Sequence, residues 1–128
     1  VPIIVPWPAS GQVTLHVTLG YNETKTHRLV WKDAMDPAKT GFVRVVEQPG
    51  SAVMPRTFTL NNNGVAKFGP HTENAPGASL VNYPTPGSPS TVSMKYDDTL
   101  DIIITNGDRP LGGANGNILL DIGVPMRY

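Results

Sequence analysis

The final stretch, residues 117–128, limits what this chain can fold into more than any other. Ile118, Leu120, Ile122, Val124, Met126 and Tyr128 alternate there with Leu119, Asp121, Gly123, Pro125 and Arg127. Successive side chains of a β-strand point to opposite faces, so this spacing builds one continuous apolar row. A helical period would scatter the same residues around the axis, and Gly123 and Pro125 would interrupt it. Burial of each such side chain stabilises a fold by about 1.5–3 kcal/mol, so the row predicts a core strand built into the domain.

The rest of the chain repeats the pattern between turn signals, with 13 glycines and 13 prolines punctuating it. Val13, Leu15, Val17, Leu19 and Tyr21 alternate with Gln12, Thr14, His16 and Thr18, a half-buried strand with His16 in its solvated row. His27, Leu29 and Trp31 form a further row, after a turn over residues 20–25. Asn22-Glu23-Thr24 fits the glycosylation sequon, which has meaning only in a eukaryotic secretory protein. Residues 41–47 place Phe42, Val43, Val45 and Val46 on both faces, as in a strand that is bulged or buried on both sides. Residues 53–60 and 65–68 flank Asn61-Asn62-Asn63-Gly64, and Asn-Gly supplies the positive-φ positions of a tight hairpin. Residues 91–96, with Val92, Met94 and Tyr96 on one row, and residues 99–105, with Leu100, Ile102 and Ile104, complete the set. About eight or nine short strands with turns at intervals of about 8–12 residues predict an all-β, two-sheet antiparallel β-sandwich, immunoglobulin-like or jelly-roll.

Two segments stand apart from that pattern. At the N-terminus, Val1, Ile3, Val5 and Trp7 alternate with Pro2, Ile4, Pro6 and Pro8. Proline lacks the N–H of a ladder, so residues 1–10 read as an extended arm or edge strand and residues 11–128 as the sandwich domain. The arm either folds onto its own domain or inserts into a neighbouring subunit. Residues 69–90 contain Pro70, Pro76, Pro84, Pro86 and Pro89 and read as a long Pro/Gly-rich loop, with His71 and Tyr83 as recognition candidates.

Chemistry-bearing patterns are scarce. There are no cysteines, which excludes a disulfide framework and thiol catalysis. The three histidines lack a nucleophile at a recognisable spacing, and the carboxylates single out no catalytic pair. Asp33 and Asp36 lack the glycine-centred loop of a calcium site. Residues 111–116 are glycine-rich but have no Lys-Ser/Thr of a phosphate cradle. The chain is therefore expected to be non-enzymatic, with no cofactor and no metal. Ten basic and ten acidic residues balance, which speaks against a nucleic-acid surface. No apolar run is long enough for a membrane span, so no membrane insertion is expected.

A charged fraction of only 16% leaves the terminal rows almost free of charge, and uncharged strand edges invite pairing with another chain. The last strand, with glycine upstream and alternation running to Tyr128, resembles the C-terminal strand of chaperone–usher fimbrial subunits. The likeness is one of architecture. Here the tyrosine is last rather than penultimate, the cysteine pair of one branch is absent, and Pro2 and Pro6 suit poorly a strand bonded on both sides. It implies a structural subunit of an extracellular or cell-surface assembly, pilus-like, whose partners are copies of itself. The contact candidates are Val1, Ile3, Val5, Trp7, Ile118, Leu120, Ile122 and Val124. A virion decoration or tail protein fits the same features. A carbohydrate-binding module, stacking a glycan on Trp7, Trp31, Tyr83 or Tyr128, is the third reading.

Overall fold

The computed structural model describes residues 2–32, 39–47, 55–73, 82–83, 90–107 and 116–125. They form ten strands: β1 (Ile3–Ile4), β2 (Gln12–Leu19), β3 (Thr24–Val30), β4 (Lys39–Glu47), β5 (Arg56–Asn62), β6 (Val65–Glu73), β7 (Asn82–Tyr83), β8 (Ser90–Met94), β9 (Thr99–Asn106) and β10 (Gly116–Gly123). One sheet has the order β1-β3-β9-β5-β6. The other runs β2-β10-β4, and the far side of β4 is shared by β8 along its first half and β7 along its second. All pairings are antiparallel except β1 with β3. The chain is a β-sandwich.

The alternation read from the sequence becomes the core. Ile118, Leu120, Ile122 and Val124 are buried and face Leu29, Leu100, Ile102, Ile104, Phe58 and Leu60 from the opposite sheet. β10 is bonded on both sides, to β2 over its whole length and to β4 over Ile118–Gly123. That position explains why its second row is also shielded: Asp121 and Gly123 are buried on the outer face. Asp121 accepts from Thr14 Oγ1 on one neighbour and from Arg44 Nη2, at 2.9 Å, on the other.

Several boundaries differ from the sequence reading. β6 does not stop at Phe68 but continues to Glu73, and Asn82–Tyr83 add β7, so the segment expected to be one long loop contains strand at its start and near its middle. Pairing of Thr57 with Thr72 and of Val45 with Tyr83 outweighs the local proline and glycine signals. β8 ends at Met94, and Tyr96, expected on the row of Val92 and Met94, lies exposed in the turn to β9. Residues 33–38, 108–115 and 126–128 lie outside the described residues, and with them Asp33, Asp36, Met126 and Tyr128. The Asn-Gly hairpin forms where the sequence places it: Asn63 (φ 49°) and Gly64 (φ 84°) are the two turn residues between β5 and β6.

Candidate functional site: the arm and the edge it occupies

Residues 2–8 lie along β3. Ile3 pairs with His27 and Ile4 with Arg28, and Val5 N–H donates to Arg28 O at 2.9 Å. Pro2 and Pro6 bracket this contact, so proline chemistry limits β1 to two residues. The arm is nevertheless anchored. Val5 is 3% exposed and belongs to the core. Trp7 packs edge-on against buried Trp31, with ring centroids 5.2 Å apart and planes at 76°. Room for Trp31 comes from Gly41 on β4, where a Cβ would stand 2.7 Å from the Trp31 ring and 2.5 Å from Gly123 O. A turn closed by Gly11 N–H donating to Pro8 O (2.8 Å) then reverses the arm into β2.

Two side chains of the arm face water: Ile3 is 47% and Ile4 63% exposed. Beside them Arg28 makes a two-bond bridge to Asp101, Nε to Oδ1 at 2.7 Å and Nη2 to Oδ2 at 2.9 Å. His27, opposite Ile3, is buried, and its Nδ1 has no hydrogen-bond partner among the described residues. Burial, and secondarily the charge of Lys25, holds the His27 pKa below its ordinary value of 6.5.

The eight contact candidates therefore divide. Ile3 is accessible, Val5 and Trp7 anchor the arm, and Ile118, Leu120, Ile122 and Val124 are occupied by their own core. Val1 lies outside the described residues. The two terminal rows do not meet in a ladder, because β1 and β10 belong to different sheets. Of the loop candidates, His71 is a half-buried member of β6 with its ring 5.9 Å from Phe68, and Tyr83 is in β7. Trp31 is interior, which removes it from any exposed glycan platform.

The sequence reading missed a buried polar cluster at the other end of the sandwich. Arg56 shares the inward row of Phe58 and Leu60 and donates from Nη1 to Asn106 Oδ1 at 2.7 Å. Asn106 Nδ2 in turn donates to the carbonyls of Leu19 (3.0 Å) and Gly20 (3.1 Å). The parity of 56 with 58 and 60 was the available signal. No protein-family model matches this chain, and no curated protein matches it.

Proposed function

We propose that this chain is a non-enzymatic structural subunit of an extracellular, pilus-like assembly, joined to its neighbours by exchange of the N-terminal arm. The observation that carries the reading is the division of labour within the arm. Val5 is buried against β3 and Trp7 is half-buried against Trp31, while β1 itself is only two residues long and exposes both isoleucines. A short hinge, residues 8–11, separates these anchors from β2. The same edge of β3 and the same Trp31 can receive the arm of a neighbour once the turn closed by Gly11 N–H and Pro8 O opens, which is the route of domain swapping. When each arm passes on to the next copy rather than being returned, the exchange is head-to-tail and propagates a filament unless its rotation closes.

Removing residues 1–8 is expected to abolish filaments seen by size exclusion and negative-stain microscopy, and a filament that survives the deletion would sink the idea. A full-length test uses the absence of native cysteine. Ile4→Cys with Arg28→Cys, bridged by a short bismaleimide, should give a ladder of linked chains on a denaturing gel. Bridged monomers alone, under conditions where the protein is assembled, would place the arm on its own domain.

A further inference from the structure

The edges of the two sheets are not equally protected. β6 carries Lys67 and Pro70 and shifts register against β5 between Phe58 and Asn61. β7 and β8 have two and five residues, and β1 has two, flanked by prolines. Short length, lysine, proline and bulges are the devices that keep edges from pairing with other chains. β2 has none of them. Its eight residues contain no Asp, Glu, Lys, Arg, Pro or Gly, and its register with β10 is unbroken from Leu19 to Gln12.

The direction of its backbone groups follows from one contact and the register. Val124 N–H donates to Gly11 O at 2.9 Å, one step beyond the Gly123–Gln12 pair. Antiparallel alternation then assigns Val13, Leu15, Val17 and Leu19 to the ladder with β10 and turns the N–H and C=O of Gln12, Thr14, His16 and Thr18 away from it. Lys25 Nζ donating to Thr18 O at 2.6 Å and Ser10 Oγ donating to Gln12 O at 3.3 Å agree with that direction. Between those capped ends, the backbone N–H and C=O of Thr14 and His16 have no partner among the described residues. On the inward row, Val13 and Leu15 remain only partly buried, unlike Val17 and Leu19.

We infer that β2 pairs with β2 of a second copy, antiparallel, about a two-fold axis through Leu15. This register sets Thr14 against His16 of the second copy, His16 against Thr14, and Gln12 and Thr18 against each other, so every outward backbone group finds a complement. Leu15 meets Leu15 and Val13 meets Val17, which extends the core row across the axis. No charged side chain is placed opposite another, because β2 has none. Lys25 exchanges its contact with Thr18 O for solvent at the rim. The result is one sheet running β4-β10-β2 in one copy and on through β2-β10-β4 in the next. This interface is isologous and lies on a different sheet from the arm, so the two contacts stand or fall separately.

Single cysteines in the full chain test the register. Leu15 would be a non-hydrogen-bonded pair with its own copy, Cα atoms about 4.5 Å apart, a separation a disulfide spans. Leu15→Cys is expected to form a covalent dimer on mild oxidation, whereas Thr18→Cys, displaced along the same edge, should stay monomeric on a denaturing gel. Thr14→Lys with His16→Lys sets lysine against lysine and should abolish the non-covalent pair in sedimentation velocity while the circular dichroism of the folded chain persists. Equal cross-linking at positions 15 and 18, or a double-lysine variant that still pairs, would overturn the inference. The arm ladder described above reads out a different bond.

Discussion

Gly41 shows how a residue without a side chain organises this core. It lies on the inward row of β4 beneath Trp31, and an added methyl would collide with both the Trp31 ring and the Gly123 carbonyl. The second collision is with backbone and cannot be relieved by a rotamer change. Gly41→Ala is therefore expected to destabilise by about 1–3 kcal/mol in urea unfolding. Gly64→Ala provides the contrast. Nothing stands within 4 Å of its added methyl, so the cost is confined to the φ of +84°, about 1 kcal/mol. His27 contributes a pH dependence. Its pKa is lowered by burial and then by Lys25, so the unfolded chain takes up a proton before the folded one. Stability is then intact above the unfolded value of 6.5 and falls as pH drops below it. The urea midpoint should decline on mild acidification, before the carboxylates titrate, and His27→Gln should flatten that decline.

Among the elements, β9 ties three others together at one end of the sandwich. It pairs with β3 and β5, and its last residue, Asn106, links Arg56 on β5 to the carbonyls that end β2. Asn106→Ala removes an acceptor from a buried guanidinium and a donor from two carbonyls. The expected loss is about 1.5–3 kcal/mol, the range for hydrogen bonds to charged groups, measured by urea or thermal unfolding. Sequence reading found β9 by its alternation but missed this cluster, for which the parity of Arg56 with Phe58 and Leu60 was the one local signal. Polar residues on an inward row carry no periodic signal of their own; their burial depends on what the opposing sheet supplies. β6 makes the complementary point. Pro70 and Gly69 read locally as loop, but the strand continues because β5 offers a pairing edge as far as Glu73.

On the scale of the whole molecule, the arrangement of edges determines how copies can meet. β10, first in the sequence reading, is enclosed on both sides and offers no edge to a neighbour. The arm borders one sheet and β2 the other. Arm exchange passed on from copy to copy would be heterologous and lengthen an assembly, whereas the proposed β2 pairing would be two-fold and join units laterally. Together they would give paired filaments, and either alone would give single filaments or closed dimers.

The sequence alone determined that the chain is all-β, that Ile118, Leu120, Ile122 and Val124 face a core, and that Asn63-Gly64 makes a hairpin, because alternation and positive-φ turns are local properties of the backbone. It also marked residues 1–10 as an extended arm or edge strand, since Pro2, Pro6 and Pro8 restrict the chain wherever it lies. Only the tertiary structure decided which strand neighbours which: that β1 runs parallel to β3, that β10 is central, and that β2 borders its sheet with no further strand beside it among the described residues. Strand order depends on contacts between residues far apart in the chain, such as Thr14 with Asp121, 107 positions on. The energy of such contacts comes from packing and ladder hydrogen bonds, and no local pattern in the chain encodes them.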